Sequence, residues 1–284
     1  MESTITKPLI VAFVADMMFT SKIENVIRHL DYRVQWIERA ADIGDGYQDD
    51  QQEPLGEMLH GREGQLFEKV TAWQPALLLF DLSNQAIPWR RWIPMLKSSA
   101  ATRQIPVMTF GSHMDVDTMQ TAKQVGADFV FARSRFVAGM PQLLQDHARI
   151  PDYEAIITAC QGRLPPLVIS GIEQFNSGAY YACHDDLEEA WRQDDSAGRD
   201  LYRGILQVAI AYFQIERGNY RGAMKMLLRL RQWLEPLPGV CRGVNVAKLR
   251  KDAAAVQEAL AALGPERISE FDHTLFKQVE SGLD

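Results

Sequence analysis

The sequence predicts an α/β unit followed by an all-α unit. The first is a doubly wound (βα)5 domain with a five-stranded parallel sheet over residues 1–148; the second is an antiparallel helical bundle over 169–264. Three observations lead there. Short apolar, β-rich runs alternate with helical patterns in the first half, as in a parallel sheet covered by helices on both faces. A stretch with Pro151, Gly162 and the pair Pro165-Pro166 then marks a boundary, because proline pairs exclude helix just before them. Beyond it only helical periodicities occur, broken by Gly and Pro. The 284 residues suffice for two domains that each bury a core.

Composition narrows the function classes. Hydrophobic residues at 46% and charged residues at 24% fit a globular protein in water. A formal charge of -7 disfavours nucleic acid bound through bulk electrostatics, and no basic run is interleaved with aromatics. The first apolar run, Leu9 to Phe19, is interrupted by Asp16, too short to span a bilayer and poorly built as a signal peptide. Three cysteines, Cys160, Cys183 and Cys241, are an odd number without metal-ligand spacing. The expectation is a cytoplasmic protein with no disulfide framework, in which Cys160 is a packed small side chain.

In the first half, Leu9 to Val14 reads as a strand, followed by a helix with a capping box at Ser21-x-x-Glu24 and apolar positions Ile23, Val26, Ile27 and Leu30. Tyr32 to Ile37 is the second strand. Ala41 to Gly64, polar and rich in Gly, Asp and Gln, reads as an irregular insertion. Leu66 to Trp73 is a short helix. Ala76 to Phe80 is a continuously apolar central strand ending on Asp81. Trp89 to Lys97 is helical, Ile105 to Phe110 a strand, Asp117 to Val125 a helix, Phe129 to Phe131 a strand and Phe136 to His147 a helix. Trp89 and Trp92, flanking Arg90 and Arg91, either form a docking surface or pack beneath the insertion.

The blocks PALLLFDL, IPVMTFGSH and AKQVGADFVFARS, in that order and spacing, resemble the receiver domain of bacterial response regulators over residues 8–148. The resemblance implies Mg²⁺ held by acids after the first and third strands, and phosphorylation of the third-strand aspartate. A hydroxyl after the fourth strand and a lysine after the fifth then neutralise the phosphoryl charge. Asp81 stands at the phosphoacceptor position and Asp16 at one of the two first-strand acids, so these two are the Mg²⁺ candidates; Ala15 occupies the other position. Gly111 replaces the hydroxyl, with Ser112 adjacent, and Arg133 replaces the lysine. One carboxylate and the hydroxyl are lost, and arginine is no substitute for a compact point charge. The resemblance thus implies a degenerate receiver used for association, with a working phosphoreceiver at Asp81 as the alternative.

Residues 149–168 read as a tether with a short helix at Tyr153 to Cys160. In the bundle, the first helix is expected from about Ser170 to Arg192, carrying H-x-x-x-E-x-x-W at His184, Glu188 and Trp191. At about 100° per residue these three share an arc of roughly 60° at the edge of an apolar stripe. Leu201 to Glu216 is apolar around most of its circumference and therefore central. Gly218 and Asn219 end it. Tyr220 to Leu234 is amphipathic, and Gly222-Ala223 is expected to allow close helix approach. Asn245 caps a fourth helix that stops at Gly264-Pro265, and Ile268 to Val279 reads as a C-terminal amphipathic helix within 265–284.

GIEQFNSGAYYACHDDLEEAW with YRGILQVAIAYFQIERGNYRGAMKMLLR resembles the domain-of-unknown-function family 309 over about residues 167–250. The matching positions are His184, Glu188, Trp191, Gly204, Gln207, Arg217, Gly218, Asn219, Gly222 and Ala223. That resemblance implies a helical fold and no reaction. His184 and Glu188 at i, i+4 can share a metal, yet the neighbouring helices supply no second histidine and only one further acid, Glu216. Three readings remain: a metal or hydrolytic site, a pocket for a polar or anionic ligand lined by His184, Arg217 and Gln207, and a satisfied network in which Glu188 accepts from Arg217 or Gln207. The leading functional expectation is a signalling or adaptor protein whose bundle binds a protein partner or partner domain. A ligand-binding or enzymatic bundle is the alternative. No established cofactor other than Mg²⁺ at the receiver-like site, and no membrane, is expected; a homodimer fits the receiver resemblance.

Overall fold

Strands Leu9–Phe13 (β1) and Leu77–Asp81 (β3) are apolar almost throughout, and the period of two sends neighbouring residues into opposite layers. Val11, Phe13, Leu78 and Phe80 enter one core, while Ile10, Ala12, Leu77 and Leu79 enter the other. The computed structural model describes residues 7–44 and 59–282. With Arg33–Trp36 (β2), Val107–Gly111 (β4) and Phe129–Ala132 (β5), these strands form a parallel sheet in the order β2-β1-β3-β4-β5. This is the flavodoxin-like doubly wound order, which opens its crevice at the carboxyl ends of β1 and β3.

Helices Gly61–Trp73 (α2), Trp89–Ser98 (α3) and Val116–Gln124 (α4) cover the face carrying Phe13 and Phe80. Met17–His29 (α1) and Arg133–His147 (α5) cover the other, around Ile23, Phe110 and Phe136. Each large side chain buried in these layers contributes roughly 2–3 kcal/mol. Trp89 and Trp92 are core residues, with Trp92 edge-on to Phe13, so no docking surface forms there. Helix α1 starts four residues before Ser21: Asp16 caps it by accepting from the Met18 N–H, while Ser21 donates to the Met17 carbonyl. The cap nearest the strand end wins because the short β1–α1 connection leaves no room for a longer loop. Of the expected insertion, Ala40–Asp42 forms a 3-10 turn and α2 begins at Gly61, whereas residues 45–58 lie outside the described ones.

The chain divides into two compact units between Ile150 and Pro151. The expected tether is part of the second. Helix Tyr153–Cys160 (α6) is bonded to it through a Cys160–Cys241 disulfide, contrary to the expectation of no disulfide framework and of Cys160 as a packed small side chain. Cysteine spacing could not show this, since the pair is 81 residues apart and is joined only by the fold.

The expected first bundle helix is two helices, Pro166–Asn176 (α7) and Cys183–Gln193 (α8). Gly178, at φ 85°, takes the left-handed conformation that turns the chain between them. Helix Asp200–Glu216 (α9) is central as expected, with Ile205, Val208 and Tyr212 fully buried. It lies antiparallel to Tyr220–Leu234 (α10): a Cβ on Gly204, near the start of α9, would sit 2.1 Å from Leu234 at the end of α10. Gly222 serves otherwise than expected, since a Cβ there would meet the capping side chain of Asn219 rather than another helix. A hairpin of Val240–Cys241 (β6) and Val244–Asn245 (β7) precedes Val246–Leu263 (α11), which Asn245 caps.

The tail is not an α-helix. It forms 3-10 turns at Pro265–Glu270 and His273–Leu275 and then runs extended along the bundle. Phe276 stacks on Tyr212 at 4.1 Å, and Asn176 makes two hydrogen bonds with the Val279 backbone. Asp272 caps a short turn and sends the chain along this aromatic surface instead of into a further helix. Among the described residues no helix is long and apolar enough to cross a membrane.

Candidate functional site

Asp81 ends β3 in the crevice where such sheets place their sites, and its side chain is 1% exposed. Arg133, the first residue of α5, reaches it: Nη2 lies 3.0 Å from Oδ1 and 3.1 Å from Oδ2. The same nitrogen donates to Ser83 Oγ at 2.6 Å. Ser83 in turn donates its hydroxyl and its N–H to Asp81 Oδ1 at 2.6 and 2.9 Å. The guanidinium is set by packing, with its carbon 4.6 Å from the Phe19 ring centroid. Arginine therefore occupies the crevice as an internal counter-cation.

The remaining receiver positions are not assembled. Asp16 is exposed and used as the α1 cap, Ala15 carries no carboxylate, and Ser112 accepts from the Met114 N–H. A carboxylate already paired with a guanidinium and facing no second acid does not fit Mg²⁺, which takes an octahedral shell of oxygens. Beside Arg133 a groove of about 500 Å³ is lined by Phe19, Ser112, His113, Ser134, Val137 and Ala138. Ser83 was not singled out from the sequence. Its signal is the Asp81-x-Ser83 spacing, which lets an aspartate accept from the backbone two residues on.

In the bundle, His184 and Glu188 meet on the surface of α8, Nε2 to Oε2 at 3.3 Å, each about one-third exposed. Glu188 accepts from Arg192 at 2.7 Å, not from Arg217 or Gln207 as expected, because Arg192 follows it at i+4 on the same helix. The other nitrogen of His184 faces Asp185 at 3.3 Å. Among the described residues no three His, Cys, Asp or Glu side chains converge in a metal-binding group. Arg217 lies against the Phe213 ring, which touches Tyr181, which stacks loosely on His184. Asn219 caps α10 through Gly222 and donates to Gln214. Among the described residues no hydrogen bond or ion pair joins Arg217 or Gln207 to His184 or Glu188; Gln207 stands one turn from Arg203 on α9, with its Oε1 buried and unpartnered.

Trp191 has partners that sequence reasoning missed. Arg203 lies 3.7 Å and Arg199 4.8 Å from its ring centroid, and Arg203 also lies 5.0 Å from that of Trp233. The Trp191 Nε1 and Gln207 Oε1 atoms are buried without a hydrogen-bond partner. Cys183, at the head of α8, is buried, and burial pushes its thiol up to about 12.

A search of curated proteins finds no match to the chain. Among similar solved structures is the chemotaxis response regulator CheY4 of Vibrio cholerae, 11% identical, covering 50% of this chain and 98% of that one, with TM-score 0.37. Another is the receiver domain of the sensor histidine kinase PA1611 of Pseudomonas aeruginosa, with magnesium in its active-site cleft. It is 13% identical, covers 50% of this chain and 98% of that one, and has TM-score 0.38. Full-length FixJ of B. japonicum is 13% identical over 80% of this chain and 98% of its own, with TM-score 0.34. Residues 168–226 match the family described as "Domain of unknown function (DUF309)". By its strand order and this match, the chain joins a receiver-like (βα)5 unit to a helical unit that carries a DUF309 region.

Proposed function

We propose that the protein is a signalling adaptor in which the receiver-like unit is a phosphorylation-independent association module and the bundle is the output or partner-binding module. The observation that carries this reading is the contact of Arg133 with both carboxylate oxygens of Asp81. Phosphoryl transfer needs a carboxylate lone pair free for in-line attack and a cation on the incoming phosphoryl oxygens. Here the lone pairs face a fixed guanidinium and the Ser83 donors, and Mg²⁺ entering the crevice would meet a like charge. The same contact ties β3 to the start of α5 and holds the crevice in one arrangement. Support for association comes from the rim: Met17 and Met18 after β1, and Met114 and Val116 after β4, are between 67% and 82% exposed. Methionine-rich apolar surface is adaptable and suited to protein contact.

The test is acetyl phosphate with Mg²⁺, read by intact mass on the wild type, Asp81→Ala and Arg133→Lys. No phosphoryl adduct on the wild type is the expected result. An adduct that Asp81→Ala removes would overturn the reading in favour of a working phosphoreceiver.

A further inference from the structure

We propose that Arg203, packed against Trp191, close to Trp233 and flanked by Arg199, is the centre of a recognition site for a small oxyanion, a carboxylate or a phosphoryl group. A guanidinium uses its surfaces in two ways. Its flat faces stack on aromatic rings, and its N–H donors radiate in the plane. The Arg203 guanidinium carbon lies 3.7 Å from the Trp191 ring centroid and 5.0 Å from that of Trp233, so packing against the rings restrains the group and leaves its N–H donor edge for other partners. Among the described residues that edge makes no hydrogen bond and no ion pair within 4 Å, and Glu188 and Asp200 act on it only through longer-range attraction. The nearest acid on α8, Glu188, is held by Arg192 and faces His184. Arg199 places a second guanidinium against the same indole, and its own bonds run to the Asp194 carbonyl and toward Asp195.

Electrostatics agree with this geometry. Burial lowers the Arg203 pKa, and the attraction of Glu188 and Asp200 does not restore it, while Arg199 lowers it further. Two guanidinium groups at one ring with incomplete neutralisation are a cost that an oxyanion would relieve. A planar fork held by packing is also the arrangement that binds carboxylate or phosphate in two parallel hydrogen bonds with little ordering left to do. Polar capacity in the neighbourhood is unspent as well. Gln207, one turn along α9 from Arg203, and the Trp191 indole each have a buried polar atom without a partner. Such atoms call for a missing partner. The side chain of Arg203 is only half-buried, so the edge is within reach from solvent.

This site is independent of the Asp81 crevice and of the adaptor reading. The experiment is calorimetric titration of the full chain with sodium phosphate and, separately, sodium succinate, at constant ionic strength set with chloride. Wild type, Arg203→Met, Arg203→Lys and Trp233→Phe are compared, each checked for folding by its unfolding midpoint. The expected result is saturable binding of at least one of the two anions. Arg203→Met and Arg203→Lys should weaken it by about tenfold or more, lysine keeping the charge but losing the fork. Phosphate alone binding would identify the phosphoryl class and succinate alone the carboxylate class. Absence of saturable binding of either anion by the wild type would overturn the proposal, as would an Arg203→Lys variant that binds as the wild type does. If Arg203→Met does not fold, Arg203→Lys carries the comparison alone.

Discussion

Arg242 donates to the Asp194 carboxylate at 2.7 Å, the two side chains being 8% and 15% exposed. The same guanidinium reaches the Tyr202 hydroxyl, Ser196 Oγ at 2.6 Å and the Ala159 carbonyl at 3.2 Å. It thereby joins α6, the end of α8, α9 and the β6–β7 turn. To do so Arg242 adopts φ 51°, a left-handed conformation costing on the order of 1 kcal/mol for a residue with a Cβ. Arg242→Met should therefore destabilise the helical unit by about 3 kcal/mol or more, since it leaves a nearly enclosed carboxylate unpaired. Urea unfolding followed by far-UV circular dichroism reads this directly; a midpoint unchanged from wild type would contradict the role assigned to the pair.

Acid should act on the same network. Burial by itself raises the Asp194 pKa, but donation from Ser196 and Tyr202 and the charge of Arg242 outweigh it and hold the carboxyl below the usual range. A depressed folded-state pKa contributes stability that is full above the unfolded value, about 4, and is lost as pH falls through the folded value. The expected outcome is a fall in stability beginning near pH 4 and continuing below it. Asp194→Asn should flatten that fall. Unfolding midpoints collected from pH 7 down to pH 3 for both proteins make the comparison.

Thiol chemistry distinguishes the three cysteines. Cys183 is buried, with its thiol pushed up to about 12, while Cys160 and Cys241 are joined. Alkylation of the native oxidised protein should label none of them. Unfolding without reductant should expose Cys183 alone, and unfolding with reductant all three. The disulfide closes a loop across 81 residues of separation, so reducing it should cost the helical unit roughly 4 kcal/mol on the chain-entropy estimate. Peptide mapping of the labelled sites and paired unfolding curves check both statements.

The Asp81–Arg133 pair should respond unequally to its two removals. Arg133→Met leaves a carboxylate that is 1% exposed without its counter-charge, whereas Asp81→Asn leaves a guanidinium that is 32% exposed and able to hydrate. The first should destabilise the receiver-like unit by about 3 kcal/mol and the second by about 1 kcal/mol. Chemical denaturation of the two variants tests the ordering. Equal losses would mean that the pair is not governed by burial of the carboxylate.

Helix and strand types in the first half were legible because local pattern and tertiary role coincide there. The continuous apolar run of β3 reads as a doubly buried strand and becomes one. The apolar runs place Asp81 and Arg133 at strand ends, but it was the resemblance of the surrounding blocks to receiver domains that marked them as site residues. Errors came where two local signals competed. Asp16 and Ser21 both suit a helix N-terminus, and loop length decides between them. Gly178 sits inside an otherwise periodic stretch and breaks the first bundle helix. At the C-terminus, Phe271, Phe276 and Val279 satisfy helical spacing and bury equally well along an extended chain once Tyr212 and Asn176 are presented to them.

The order of elements and the central place of β3 and α9 were set by the sequence alone. Both follow from periodicity and residue type at short range, whereas the reading of Ala15 and Gly111 as departures from a receiver rests on the resemblance. The tertiary structure alone decided which distant groups meet: Arg133 with Asp81, Arg203 with Trp191 and Trp233, Cys160 with Cys241. Those contacts join residues on different elements, and their geometry depends on how the elements pack, which local pattern does not encode.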